Sequence, residues 1–250
     1  MINRLKFCIV ANTNAHGNKK LLNQVINLLK NDHEVEVFES KSKNIAEEIF
    51  KSLSSKIFDR LVITGGDGSF NFAINEILRH PSLLKKKIGY VPMGTANILQ
   101  IEAKIQINAE AIAEVLIAGN IKKISLFKIN DQFFFLMAGI GFDGKIVASI
   151  DPRIKKYLGK IIFALKGFQH FLFLNNKKIE VLFDNKKIEA DWILSTNSKY
   201  YAGSYKITKI TNIFQNGLVT YIFKDLTRLK ILYYLFLILI YGDLSKAKSI

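Results

Sequence analysis

At 250 residues, 49% hydrophobic and 23% charged, the chain excludes intrinsic disorder and has room for one large or two ordinary domains. Its single cysteine, Cys8, excludes a disulfide framework and suits a reducing compartment; lying in the apolar run Phe7–Val10, it reads as a buried small hydrophobe rather than a nucleophile. Thirty-six Lys and Arg against 21 Asp and Glu favour anionic partners such as nucleotides, anionic lipid or nucleic acid, a lysine-rich solvated surface being the plain alternative.

The opening MINRLKFCIVANTN has too short an apolar run for a secretory leader. Leu5–Ala11 predicts a buried strand, and the Asn- and Gly-rich stretch 12–18 after it a polar turn. Lys19–Lys30 places Leu21, Leu22, Val25, Ile26, Leu28 and Leu29 at helical spacing. Glu34–Phe38 alternates like a strand, Asn44–Leu53 reads as a second helix and Leu61–Thr64 as a third strand. Gly65-Gly66-Asp67-Gly68 then turns the chain into a helix over Phe70–Leu78, with Ser69 as its expected N-cap. Successive N–H groups of such a turn, backed by a helix N-terminus, form an anion cradle, though one glycine turn alone is equally a tight bend without a ligand. Ile88–Val91 is a fourth strand, followed by Pro92-Met93-Gly94-Thr95-Ala96-Asn97 at the start of another helix. Alternating strands and helices imply parallel βαβ units, whose ligands sit at the carboxyl ends of the strands, where the loops 12–18, 65–69 and 92–97 fall. His16 and His80 stand alone in polar surroundings and read as surface residues.

Ala109–Ala118 is a further helix, and after Gly119-Asn120 the pattern changes. Ile121–Ile129, Gln132–Ile140, Lys178–Phe183, Lys186–Ser195 and Leu218–Phe223 read as strands, with hairpin turns at Asn130-Asp131 and Asp184-Asn185 and one helix over about Tyr157–Leu174. The expected organisation is an α/β domain with a mostly parallel sheet over 1–121 and a β-rich, antiparallel, sandwich-like domain over 122–250. Ile231–Tyr241 is apolar all round and too short to span a membrane; it reads as a core helix, an interfacial helix or the last strand, with burial in the fold the expected outcome.

In order along the chain, VANTNAHGNK, TGGDGSFN, VPMGTAN, Ala138-Gly139-Ile140-Gly141-Phe142-Asp143, Ser195-Thr196-Asn197 and Ala202-Gly203-Ser204 resemble the catalytic domain of the diacylglycerol kinase and sphingosine kinase superfamily, in its bacterial soluble lipid-kinase form. The resemblance covers most of the chain; kinases that share only the GGDG turn lack the PMGTAN segment. It implies an α/β nucleotide domain with a β-rich partner domain, ATP with its Mg²⁺ as cofactor, and phosphoryl transfer to a lipid hydroxyl such as diacylglycerol. By position it implies nucleotide contacts from Asn12, Ser40, Gly65, Gly66, Asp67, Gly68, Ser69, Phe70, Asn71, Phe72, Gly94 and Thr95, with Asp67 catalytic, where Mg²⁺ and the transferring group meet. It further implies a cytoplasmic protein, peripheral on the membrane's inner face, with a homodimer left open and nucleic acid not expected, since no nucleic-acid module interleaves aromatic and basic residues.

Three departures from the family pattern stand out. Asn71-Phe72 replaces the family's Asn-Glu after the glycine turn. Gln215-Asn216-Gly217 replaces an acidic loop that holds a structural Mg²⁺, and neutral amides are poor ligands for that ion, so this metal site is expected to be lost. The family's Asp-Gly-Glu, with its general base, is not met before Ile250, and nothing in the spacing of Glu102, Glu110 or Glu114 marks a substitute. A relative that binds nucleotide or lipid without turnover is therefore the alternative to an active kinase. The pairs and triplets at Lys85–Lys87, Lys122-Lys123, Lys155-Lys156 and Lys177-Lys178 are expected either to face anionic lipid or to be scattered solvated lysines.

Overall fold

The computed structural model describes residues 4–13, 18–151, 154, 161–174, 177–183 and 186–247. His16, Lys155-Lys156, the helix start expected from Tyr157 and the turn expected at Asp184-Asn185 lie outside them. The chain divides into two compact units, Met1–Lys123 with Asn130–Phe133, and Ile124–Ile129 with Phe134–Ile250.

In the first unit β1 (Lys6–Asn12), β2 (Glu34–Ser40), β3 (Arg60–Gly65) and β4 (Lys87–Pro92) form a parallel sheet in the order β2-β1-β3-β4. Between and after them run α1 (Lys19–Lys30), α2 (Lys43–Leu53), α3 (Asp67–Arg79), α4 (Ile98–Ala103) and α5 (Ala109–Ala118). Each βαβ connection needs a helix start close after a strand. Asn18 and Ser42 provide two of these, and Asn108 caps α5 in the same way, their side-chain oxygens accepting from the N–H of Leu21, Ile45 and Ala111. Phe7, Ile9 and Ala11 of β1, with Val62 and Val91, pack under Leu21, Val25 and Leu29 of α1 and Ile112 and Leu116 of α5. The intervening residues Cys8, Val10, Leu61 and Ile63 are buried too, on the face carrying α2 and α3, as the alternation of a central parallel strand requires. Each fully buried Leu, Ile or Val adds about 1.5–3 kcal/mol of burial.

The second unit holds an antiparallel sheet. From residue 124 onward the elements are β5 (Phe127–Ile129), β6 (Gln132–Phe134, of which Gln132 and Phe133 belong to the first unit), β7 (Met137–Gly141), α6 (Phe142–Ala148), α7 (Ile161–Leu172), β8 (Ile179–Phe183), β9 (Lys186–Ala190), β10 (Trp192–Thr196), β11 (Tyr200–Tyr201), β12 (Tyr205–Lys206), β13 (Val219–Phe223) and α8 (Arg228–Tyr241). The three-stranded sheet runs β13-β10-β7, and β8 pairs with β9 and β11 with β12, all antiparallel. Three expected strands are shorter than the apolar pattern suggests. Over 121–129 only β5 forms; ahead of it the Ser125 N–H leaves the strand pattern to donate to Ile213 O, 3.0 Å away. The run 132–140 breaks at Phe135-Leu136, whose carbonyls accept from the Asn197 side chain (3.3 Å) and the Asn197 N–H (2.7 Å). The run 186–195 breaks at Asp191, a buried residue whose N–H donates to Phe223 O (2.9 Å) and whose carboxylate accepts from Leu226 N–H (2.8 Å). Periodicity carried no trace of these polar insertions. Helix α6, also unexpected, starts after Gly141, whose φ of +85° turns the chain out of β7.

The apolar C-terminal segment is a helix, and burial all round is corrected. Helix α8 buries Ile231, Tyr234, Leu237 and Ile238 against Trp192, Phe223 and Leu226, while its other apolar side chains stand exposed. Among the described residues only one side of it has a neighbour. Two of the expected lipid-facing lysines have structural partners: Lys86 donates to Phe58 O over the Phe58 ring, and Lys178 pairs with Asp191 and Asp225.

Candidate functional site: two glycine turns at the carboxyl edge of the parallel sheet

Register brings the strand ends level. Asn12 pairs with Ser40 across β1 and β2, Ala11 with Thr64 across β1 and β3, and Gly65 with Pro92 across β3 and β4. At Gly65 φ is +138°, a left-handed value that a side chain resists, and a Cβ there would also meet Ser69 Oγ at 2.6 Å. Gly66 is extended and occupies the N-cap position of α3 without a side-chain cap. The helix thus begins at Asp67, earlier than expected, because Asp67 favours a first turn and Gly66 leaves the cap open. Ser69 is therefore not the N-cap; it lies inside the first turn, where its Oγ accepts from Asn12 Nδ2 (2.9 Å). The amides of that turn, Asp67 to Ser69, have no carbonyl of their own helix to bond, and Phe70 N–H is the first that does, to Gly66 O (3.1 Å).

The second turn is locked against the first. Met93 N–H donates to Gly65 O (2.7 Å), and Gly94 lies so close to Gly66 that a Cβ on Gly94 would overlap Gly66 Cα, while one on Gly66 would stand 3.0 Å from Gly94 Cα. Backbone meets backbone: Gly94 has no room for a side chain, and one on Gly66 would require the Gly94 backbone to give way. Asn97, left-handed at φ +49°, clasps the Gly94 peptide from both ends: its Oδ1 accepts from Gly94 N–H (2.8 Å) and its Nδ2 donates to Gly94 O (2.9 Å). The Tyr90 hydroxyl bonds Gly65 O (3.0 Å), with Asn97 Oδ1 at 3.3 Å. Burial, and then the Asp67 charge, push that phenol far above its ordinary range, so it stays a donor. Asp67 completes the lock, its two carboxylate oxygens accepting from Ile98 N–H (2.9 Å) and Leu99 N–H (3.0 Å) at the start of α4.

Of the residues singled out from sequence, Asn12, Ser40, Gly65 to Ser69 and Gly94 are thus gathered at one edge, and Thr95 follows Gly94 in a half-buried bend. Ser40 donates its hydroxyl to Ser42 O (3.2 Å) and its carbonyl accepts from Thr13 N–H (3.1 Å). Phe70, Asn71 and Phe72 direct their side chains to other partners. Phe70 packs edge-on against Tyr90, Phe72 against Phe50, and Asn71 donates to Phe133 O (3.1 Å) beside Asn75. Glu110 and Glu114 line a surface hollow with Asn31 and Asp32 at the C-terminal end of α1, the end away from these loops. Tyr90 escaped sequence reasoning: one tyrosine in a buried strand carries no local sign that its hydroxyl reaches two loops.

The edge suits an anion held by amides. Neither 65–72 nor 92–97 contains a Lys or Arg, so N–H groups and the α3 dipole supply the positive potential. Thr64 Oγ1, fully buried just before Gly65, has no hydrogen-bond partner among the described residues, leaving one unused donor beside the turn. Among the described residues no three His, Cys, Asp or Glu side chains are grouped to hold a metal ion. Gln215, where the family's acidic loop would fall, bonds Asn212 Nδ2 through its side chain (2.5 Å).

In the second unit the Gly139–Asp143 stretch forms a tight bend of its own. A Cβ on Gly139 would run into the Asp143 carboxylate, and one on Gly141 into Asp191 O. Burial raises the Asp143 carboxyl, and the hydroxyl of Tyr201, which donates to Asp143 Oδ1, draws it part of the way back.

Residues 6–129 match the family model described as the diacylglycerol kinase catalytic domain. A diacylglycerol kinase of Staphylococcus carnosus is 23% identical over 177 residues, 70% of this chain and 57% of the relative. A protein of Shewanella frigidimarina named "Probable lipid kinase YegS-like" is 26% identical over 217 residues, 85% of this chain and 68% of the relative. The chain thus spans between about half and two thirds of the length of such curated relatives. In fold, it superposes on a crystal structure of a diacylglycerol kinase from Bacillus anthracis str. Sterne with a TM-score of 0.75 at 19% identity, over 99% of this chain and 82% of the other. Residues 6–129, just under half of the chain, are thus similar to the diacylglycerol kinase catalytic domain.

Proposed function

We propose that the protein is an ATP-dependent lipid kinase that transfers the γ-phosphoryl group to a lipid hydroxyl such as that of diacylglycerol. The carrying observation is the backbone-to-backbone crossing of Gly66 and Gly94 beside the N-terminus of α3. Turns this tight let phosphate oxygens approach the backbone closely at the N-terminus of α3, and phosphoryl transfer depends mainly on such positioning and charge stabilisation. Asn12, Ser40, Gly65, Gly66, Gly68, Ser69, Gly94 and Thr95 hold the nucleotide in this reading, with Phe70, Asn71 and Phe72 anchoring the helix behind them. ATP supplies the phosphoryl group; the lipid oxygen gains it, ADP leaves and the hydroxyl proton passes to a base or to solvent. Mg²⁺ retains much of its water and binds mainly through substrate phosphates, so it would arrive with the nucleotide, and in this reading Asp67 is the carboxylate that would meet it. The lipid acceptor puts the reaction at the cytoplasmic membrane surface, and no helix among the described residues is long and apolar enough to cross a membrane.

A second reading, nucleotide or lipid binding without turnover, draws on the engagement of both Asp67 oxygens by α4 amides. Radiolabel transfer from ATP to diacylglycerol in mixed micelles, beside equilibrium dialysis of ATP, separates the two. Transfer well above a Gly94→Val control supports the kinase. ATP retained without transfer supports the second reading, and no ATP retained removes the kinase and leaves only the lipid-binding form of the second reading.

A further inference from the structure

Exposed helices ordinarily turn polar residues to water, and two helices of the second unit do the reverse. Helix α7 exposes Ile161, Leu165, Phe168 and Leu172, a spacing of four, three and four that forms one stripe along its length. Phe173 follows, 76% exposed. Helix α8 leaves Leu229, Leu232, Phe236, Leu239 and Ile240 between 51% and 78% exposed, opposite its buried Ile231, Tyr234 and Ile238. The two helices meet where Arg228 donates through Nε to Phe171 O (3.2 Å) and through Nη2 to Leu172 O (2.7 Å). Leu172, Phe173 and Leu229 stand exposed around that junction. An apolar surface of this extent marks an interaction site rather than the scattered exposure of a typical surface.

Charge selects the partner. From Ile161 to Leu174 and from Leu226 to Gly242 the chain has no Asp or Glu, while Lys166, His170, Arg228 and Lys230 fall within the same stretches. A face edged by cations, with Asp225 beside it paired to Lys178 and Asp243 buried, complements anionic lipid, whereas a second copy would set cation against cation. Exposed Tyr233 and Tyr241 belong to the amphipathic types enriched at membrane interfaces. At 14 residues α8 is about 21 Å long, well short of a span, and so would lie in the interface plane.

We infer that α7 and α8 together form a docking face for an anionic lipid bilayer, with the apolar side chains among the acyl chains and Lys166, Arg228 and Lys230 at the headgroup phosphates. The inference deepens the lipid-kinase reading and rests on it for its purpose, but it is measured without ATP. Flotation of the full chain with vesicles of phosphatidylcholine alone, and with vesicles about one third phosphatidylglycerol, reads it directly. Partition onto the anionic vesicles is expected to exceed that onto the neutral ones by about 10-fold or more. The triple variant Leu232→Gln, Phe236→Gln, Leu239→Gln is expected to lower it about 100-fold, with an unchanged thermal midpoint because these positions are exposed. The double variant Lys166→Gln, Lys230→Gln is expected to lower it about 10-fold and flatten its salt dependence. Failure of the wild-type chain to float with anionic vesicles overturns the inference, as does a triple variant that partitions like wild type. Loss of self-association in the triple variant with vesicle binding intact assigns the face to a second copy instead. Vesicle binding without kinase activity sinks the proposed reaction and leaves this face standing.

Discussion

Helix α1 of the first unit and helix α8 of the second are of similar length, and both start on a side-chain cap, yet they treat water in opposite ways. Helix α1 buries Leu21, Leu22, Val25 and Leu29 and turns Lys20, Asn23, Gln24 and Asn27 outward. Helix α8 buries Ile231, Tyr234, Leu237 and Ile238 and turns Leu232, Phe236 and Leu239 outward as well. The units differ in the same sense in where they place polar chemistry. The first gathers it at one edge, in amides and short side chains around Gly65, Gly66 and Gly94. The second buries it, in Asp191, Asn197 and Asp143, and leaves apolar surface outside. A helix with a polar outer face needs only its core to be stable, while one with an apolar outer face points to a second environment.

The sharpest test of the contrast contrasts the two faces of α8. Phe223 stacks on Trp192 at 4.0 Å and meets Tyr234 edge-on at 4.9 Å, so Phe223→Ala is expected to cost about 3–5 kcal/mol by chemical denaturation. Phe236→Ala, on the outer face, is expected to stay within about 0.5 kcal/mol; a comparable loss at both positions would erase the distinction. In the first unit Gly94→Val drives a side chain into the Gly66 backbone, which has no rotamer with which to retreat. It is expected to cost about 3 kcal/mol and to weaken ATP binding at least tenfold, read by calorimetry. Asp67→Ala removes the acceptor of two α4 amides, for about 2–3 kcal/mol, and should release the Ile98 and Leu99 amides to hydrogen exchange, while Asp67→Asn, keeping one acceptor, falls between.

Smaller effects probe what the units share. Asn18→Ala and Thr227→Ala each remove a cap and are each expected to cost about 1 kcal/mol, since a cap acts on its own helix whatever lies outside. Cys8 is held up to about 11 from an ordinary 9.0, by burial first and then by the Glu36 charge. The folded chain keeps that proton while the unfolded chain releases it. The contribution to stability is therefore complete below pH 9 and lost as pH rises towards 11, and at pH 8 thiol labelling of the folded chain should run about 100-fold slower than in denaturant.

Much of the first unit was legible along the chain. Strands and helices alternated at recognisable periods, and the glycine turns fell where strands end, because the signals for both are local: the spacing of apolar residues, the caps and the glycines. The second unit was less so. The breaks at Phe135-Leu136 and Asp191 are made by partners far along the chain, Asn197 for the first and Phe223 and Leu226 for the second, and no window of ten residues contains both sides of such a bond. At the candidate site, the glycines and Asn12 could be named in advance, but the reach of Tyr90 to Gly65 O and of Asp67 to α4 could not.

By itself the sequence determined that a parallel βαβ unit would present glycine turns at its carboxyl edge, and that an α/β part would precede a β-rich one. Tertiary structure alone decided that Gly66 and Gly94 touch, that Asp67 ties α3 to α4, and which half of α8 is buried. The physical reason is range. Periodicity and caps are settled within a few residues, whereas contact between two turns, or cover for one side of an apolar helix, depends on which distant segments the fold brings alongside.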